Sequence, residues 1–196
     1  RSNGAKLFTK ASHASCGLMD KLYLKRKDVE LQSLYDMQSE NTGWYDAGVV
    51  NKGKASIDKE SRSTLSKKNI KPFDYPDICN SLLKMINIWD VTLDPDDYKV
   101  NQFDYLKYGV NDHFKKHKDQ LGDDEVNRVF STSTIIEVSD DLEGGDFIIY
   151  DELDTEIKTS LEVGETIFFR SNRFHKVTPV TKGERSVLVA WIGIKT

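Results

Sequence analysis

The chain has 196 residues, 38% of them hydrophobic, which is enough apolar material for one sizeable core and hardly for two. Its formal net charge of -4, with 31% charged residues, supplies no global basic field to draw it onto nucleic acid or an anionic membrane. The longest apolar runs, Ser186 to Ile194 and Thr134 to Ile136, fall far short of the roughly 20 residues that span a bilayer, so a soluble protein is expected, with an intracellular location favoured. A first residue of Arg rather than Met means that the lack of a signal peptide does not exclude secretion.

Residues Arg1 to Ser15 show no clear period and read as a lead-in strand or a loosely held terminus, with His13 a bystander there. Cys16 and Cys79 could make at most one bridge, and neither has a Cys-x-x-Cys partner or a histidine at zinc spacing, so packed or surface thiols are expected. From Lys27 to Met37, Val29, Leu31, Leu34, Tyr35 and Met37 recur at mostly helical spacing, with Asp28 and Glu30 in the first turn. A Lys-, Ser- and Gly-rich stretch, Asn51 to Lys71, follows; it reads as a solvated loop or, more sharply, as a lid over an active site. The spacing of Ile78, Leu82, Leu83, Met85, Ile86 and Trp89 predicts a second helix from Asp74 to Trp89.

After Asp96 the pattern changes to short β-rich runs: Lys99 to Tyr108, Phe130 to Val138, Asp146 to Tyr150, Glu156 to Leu161, Thr166 to Arg170, His175 to Val180 and Glu184 to Ile194. Gly144-Gly145, Gly164 and Lys182-Gly183 supply turns. Many short strands after two helices predict a mostly β protein with flanking helices, a jelly roll with the N-terminal helices packed on one sheet. One domain over residues 1–196 is expected, with a core of about 99–196 and a supporting and loop region of about 16–98.

The chemistry concentrates in His117-Lys118-Asp119 and His175. Positions i and i+2 of an extended strand share a face, so His117 and Asp119 can reach one metal, and His175 opens a strand able to lie beside theirs. Two imidazoles and a carboxylate suit a mononuclear iron site with open positions. A competing pair, His113 and His117 on a helix as in zinc enzymes, lacks the adjacent glutamate base and sits in a β-rich context. Arg185 begins a strand expected to be buried, where its charge needs an anion; a planar guanidinium suits a carboxylate, either within the protein or on a ligand.

The stretch from Phe103 to Ile194 resembles the Fe(II)- and 2-oxoglutarate-dependent dioxygenases of the prolyl 4-hydroxylase-like branch. The likeness rests on Tyr108-Gly109, His117-Lys118-Asp119, Glu143-Gly144-Gly145-Asp146-Phe147, and the run from Phe169 through His175, Val177, Pro179-Val180-Thr181, Gly183 and Arg185 to Trp191-Ile192, in family order. The resemblance implies His117, Asp119 and His175 as iron ligands, with no catalytic side chain beyond them. It implies Arg185 as partner of the distal 2-oxoglutarate carboxylate, Tyr108 as a further cosubstrate contact, and Arg128, Trp191 and Arg62 as substrate contacts. Fe(II), 2-oxoglutarate and dioxygen, with ascorbate as a possible addition, are the implied cofactors, and a proline-containing peptide is the implied substrate. Arg185 stands where many prolyl 4-hydroxylases have lysine, Phe114 where a tyrosine is common, and Glu137 near a pocket-facing tyrosine. Hydroxylation of another residue or a small molecule is the alternative, then a non-catalytic metal-binding protein. A nucleic-acid dealkylase would carry a second arginine where Trp191 stands.

Overall fold

Alternating apolar and polar residues form strands wherever one sheet face is buried, and in this chain that pattern dominates after Asp96. The structure, a computed structural model, describes residues 21–40, 43–51, 54–67, 70–120 and 127–196. The expected lead-in of Arg1 to Ser15, with His13, and Cys16 lie outside the described residues. In chain order the chain forms β1 (Leu24–Arg26), α1 (Leu31–Glu40), β2 (Tyr45–Asp46), β3 (Val49–Asn51), β4 (Lys54–Ser56), β5 (Arg62–Ser63), β6 (Leu65–Lys67) and α2 (Pro76–Trp89). There follow β7 (Tyr98–Tyr108), β8 (His113–His117), β9 (Phe130–Val138), β10 (Glu143–Gly144), β11 (Phe147–Tyr150) and β12 (Glu156–Thr159). The last four are β13 (Thr166–Arg170), β14 (His175–Val177), β15 (Val180–Lys182) and β16 (Arg185–Ile194).

A seven-stranded sheet of order β1-β13-β9-β16-β7-β6-β2 and a five-stranded sheet of order β12-β11-β14-β8-β5 are both antiparallel, which is the expected jelly roll. Residues of both sheets, among them Leu106, Ile135, Phe147, Ile149, Ile167, Phe169 and Val187, share one apolar cluster. The opposite face of the larger sheet packs under the helices, joining Leu34, Met37, Ile78, Leu82, Met85 and Ile86 to Tyr105, Phe130, Phe168 and Leu188. Trp89 packs against the Phe130–Phe168 ring pair, with ring centroids 6.1 and 5.7 Å away. Each large apolar side chain buried this way contributes about 1.5–3 kcal/mol.

The second helix keeps its expected end at Trp89 but starts at Pro76, because Pro72–Asp74 forms a 3-10 turn and Pro76 takes the first helical position, where a missing N–H costs nothing. The first helix is shifted from the expected Lys27–Met37. Asp28 is held by the Arg26 guanidinium at 2.9 and 3.0 Å, and β1 pairs with β13, so the chain is still extended where its apolar spacing already looks helical. The expected strand His175 to Val180 divides into β14 and β15, since Thr178 N–H donates to the Asp146 carbonyl and Pro179 has no N–H to give.

The Asn51 to Lys71 stretch departs most from expectation. From residue 62 to 67 it is neither solvated loop nor detached lid: β5 pairs with β8 in the smaller sheet, and β6 pairs with β7 in the larger one. Thr64, between them, donates its hydroxyl to the Lys107 carbonyl at 2.6 Å, and Ser63 donates to Asp112 at 2.6 Å. This strap ties the two sheets along one open side. Glu137 does not reach the interior, because an extra residue at Ile136 shifts the β9 register against β16 and sets it opposite Ser186, facing Gln38 of α1 at 3.3 Å. No helix among the described residues is long and apolar enough to cross a membrane.

Gly144, at the turn into β11, has φ +72°, and a Cβ there would lie 2.2 Å from the Pro179 carbonyl oxygen. Gly144→Ala is therefore expected to lower the stability of the protein by about 1–3 kcal/mol, read as a reduced midpoint of urea unfolding with an unchanged slope.

Candidate metal centre

β14 pairs with β8 so that His175 stands directly opposite His117. Asp119 lies just beyond the end of β8, in a bend whose backbone N–H donates to the Ser171 carbonyl at 3.1 Å. The strand thus stops sooner than expected, yet the bend still turns the carboxylate onto the two imidazoles. Asp119 Oδ1 is 3.5 Å from His117 Nε2, and Oδ2 is 3.6 Å from His175 Nε2. One donor atom from each residue falls within a 4.8 Å cluster, a set that could hold one metal ion.

Both imidazoles are oriented the same way. His117 Nδ1 lies 2.7 Å from the Lys115 carbonyl oxygen and His175 Nδ1 lies 3.0 Å from that of Arg173; donation from each Nδ1–H leaves both Nε2 lone pairs toward Asp119, the arrangement in which a metal-binding histidine is fixed by its second nitrogen. Burial, reinforced by His117, pushes the His175 imidazole down to about 4, keeping it neutral at physiological pH as ligation requires. Burial pushes the Asp119 carboxyl up, but His175, His117 and the Ser131 hydroxyl outweigh it and hold the group well below the usual carboxylate range. Aromatic rings wall the set: Phe147 stacks on His175 and Phe169 meets it edge-on.

These residues open onto a narrow cavity between the sheets, lined also by Arg62, Tyr108, Phe114 and Arg185. Deeper in it Arg185, 5% exposed, is opposite Tyr108 across β16 and β7, with its guanidinium carbon 5.6 Å from the phenol ring centre. Arg185 Nη1 donates to the Gly145 carbonyl. Its Nε and Nη2 have no hydrogen-bond partner, and among the described residues no carboxylate forms an ion pair with it. A buried guanidinium with two free donors is costly unless an anion meets it, so the polar atoms present fit a ligand carboxylate, and the intramolecular salt bridge weighed for Arg185 is not observed.

The remaining expected contacts lie in or beside the cavity wall. Arg62 and Trp191 line the cavity, and Arg128 stacks over Trp191 with its guanidinium carbon 3.9 Å from the ring centre. Arg128 also donates to the Asp119 carbonyl at 3.2 Å and to Gln102 at 3.3 Å. His113, by contrast, turns away from the set, its ring nitrogens 3.1 and 3.0 Å from the Asn111 and Glu60 carbonyl oxygens, so the helical His113–His117 pair is not formed. Phe114 is the contact that alternation concealed. The register shift between His175 and Val177 leaves one extra residue in β8, which brings positions 114 and 117 to the same side and stacks the two rings 3.5 Å apart at 19°.

Residues 103–193 match the 2OG-Fe(II) oxygenase superfamily. A PKHD-type hydroxylase of Prochlorococcus marinus is 25% identical over 88% of this chain and 73% of its own length. One of Alteromonas mediterranea is 36% identical over 35% of this chain, so that the match spans only 30% of the relative. Among solved structures, a Pseudomonas putida prolyl-4-hydroxylase superposes with a TM-score of 0.59 at 15% identity, covering 89% of this chain and 93% of that one. A Trichoplax adhaerens prolyl hydroxylase in complex with a hypoxia inducible factor peptide fragment gives 0.62 at 12% identity, covering 88% and 83%. These structural likenesses speak to the fold.

Metal and anion binding should separate by mutation. Wild-type protein loaded with Mn(II) is expected to gain about 2.7 kcal/mol of stability at 2-oxoglutarate a hundred times above its dissociation constant, seen in thermal melts. Arg185→Met should keep the Mn(II) affinity and lose that gain, whereas His175→Ala should lose both.

Proposed function

We propose that this chain, whose residues 103–193 match the 2OG-Fe(II) oxygenase superfamily, is an oxygenase of the prolyl hydroxylase-like branch that hydroxylates proline in an extended, proline-rich peptide. His117, Asp119 and His175 would hold Fe(II), the donor set that suits an iron able to take a chelating cosubstrate and dioxygen as well. Arg185 takes the distal carboxylate of 2-oxoglutarate on its free Nε–H and Nη2–H, and Tyr108 closes that end of the cavity. When bound, iron and 2-oxoglutarate supply the oxidising chemistry: one oxygen atom of dioxygen goes to the substrate, the other to succinate, and carbon dioxide is released.

The protein's own part is position and exclusion of water. Phe147, Phe169, Val177 and Val187 keep the space between Arg185 and the metal ligands apolar, so that a flexible dicarboxylate is held in one orientation by its two ends. Trp191 lines the cavity with Arg128 stacked on its ring, and Arg62 lines it too. An extended polyproline segment suits an aromatic surface of this kind because it is already ordered before it binds. The solved Trichoplax relative with its peptide fragment supports a peptide as the class of partner.

The observation that carries the reading is the buried Arg185 guanidinium with two unpartnered donors, in the same cavity as the His117, Asp119 and His175 set. The test is anaerobic loading with Fe(II) and 2-oxoglutarate, then oxygen and ascorbate with a panel of proline-rich peptides, scoring succinate and peptide mass. A gain of one oxygen atom on proline that disappears in His117→Ala is expected. Succinate without a gain on any peptide would move the substrate to another residue or a small molecule, and neither product would leave a metal-binding protein without turnover.

A further inference from the structure

Arg62 and Arg185, which line the cavity, and Arg128 beside Trp191 each meet a residue of one strand, β7. Gln102 accepts from Arg128 at 3.3 Å, Asp104 accepts from Arg62 at 2.9 Å, and Tyr108 faces Arg185. The middle pair is the unusual one. Arg62 is 7% exposed and Asp104 16%, and Arg62 belongs to the strap that ties the two sheets together.

Asp104 is not part of the cavity lining, and burial drives its carboxyl up despite the pull of Arg62. An ion pair this enclosed spends most of its attraction on desolvation, so stability alone is a weak reason for it. Geometry supplies a better one. Arg62 Nη2 is taken by Asp104 and Nη1 by the Gly48 carbonyl at 3.0 Å, which leaves the guanidinium one orientation, with its carbon 4.7 Å from the centre of the Phe114 ring. Phe114 in turn stacks on His117. A chain of contacts therefore runs from a carboxylate on the larger sheet, through the strap, to an imidazole on the smaller one.

We propose that Asp104 is a positioning residue: by holding Arg62 against Phe114 it sets the plane of the His117 ring, and with it the affinity of the site for a divalent metal. This rests on the reading of His117, Asp119 and His175 as metal ligands. Outer contacts of a metal-binding histidine commonly change affinity by about 10–100-fold when removed, and the effect expected here is at the lower end because the chain from Asp104 ends in a ring stack and not in a hydrogen bond to the imidazole.

The probe is Mn(II) alone, titrated calorimetrically into the whole chain without cosubstrate. Asp104→Asn is expected to bind about tenfold more weakly than wild type, Phe114→Ala to reproduce the loss, and Phe114→Tyr, which keeps the stack, to retain wild-type affinity. Lys59→Ala, which removes an exposed ion pair to Asp46, serves as the control and should bind normally. If Asp104→Asn fails to fold, the double variant Arg62→Met with Asp104→Leu removes both buried charges at similar volume. It should melt near wild type yet still bind Mn(II) weakly, because no cation caps Phe114. A spectroscopic signature accompanies it: the His117 ring protons, shielded by the stacked Phe114 face, should move toward ordinary chemical shifts in both Asp104 variants. Folded Asp104 variants with wild-type Mn(II) affinity and unmoved His117 resonances would overturn the proposal. Wild-type protein that binds no Mn(II) would overturn the metal reading itself, and this inference with it.

Discussion

The direct pairing of His175 with His117 across β14 and β8 is the constraint on which the site depends. Antiparallel register fixes which residues face each other across two strands, and a slip of one residue would send every side chain to the opposite face. Here the register is held from both sides. β14 is locked to β11 by the Phe147–Val177 and Ile149–His175 pairs, and β8 is locked to the strap by the Arg62–Phe114 pair. The backbone carbonyls of Lys115 and Arg173, two residues before each histidine, then aim both rings. No single tight contact creates the constellation; it follows from sheet pairing plus two local hydrogen bonds.

Charge is distributed so that the apolar interior remains workable. Arg62, Arg128 and Arg185 bring three cations to the space between the sheets, while Asp104 and Asp119 bring two anions. Arg62 is neutralised by its neighbour and Arg128 is set against Trp191 and Gln102, so both are fixed parts of the wall. Arg185 differs: it has a carbonyl acceptor, a phenol ring nearby and, among the described residues, no counter-ion. Imbalance at one guanidinium among balanced ones marks the place where an outside anion completes the electrostatics.

Much of this architecture is legible in the chain. The bounds of β9 and β13 coincide with their β-branched and aromatic runs, and the end of α2 coincides with the last apolar residue of its stripe. The proposed metal set and Arg185 stand out by residue type and position, and the resemblance of the whole motif order to a known family adds Tyr108 to them. What could not be read depends on distant partners. β8 carries Lys115-Lys116 and an extra residue that breaks the alternation of period two, so neither the bounds of the strand nor the Phe114–His117 stack shows in the sequence. The strap is polar because its side chains bond to Asp112, Lys107 and Asp104 in elements that come later; composition alone makes such a segment look solvated. Glu137 was misplaced for the same kind of reason, a bulge at Ile136 that only the pairing with β16 reveals.

β16, the last of the described strands, lies in the middle of the larger sheet, between β9 and β7. During synthesis both neighbours emerge well before it, and each must wait with one row of backbone N–H and C=O groups unpaired and its apolar face uncovered. The strand that brings Arg185 and Trp191 to the cavity is thus also the one that closes the sheet. An interrupted chain lacks both the anion site and a finished core, and a nascent one has the longest exposure to wrong partners just before it becomes competent. Long-range pairings of this kind fold slowly, so the efficiency of maturation rests on how quickly β16 finds the gap between two strands already made.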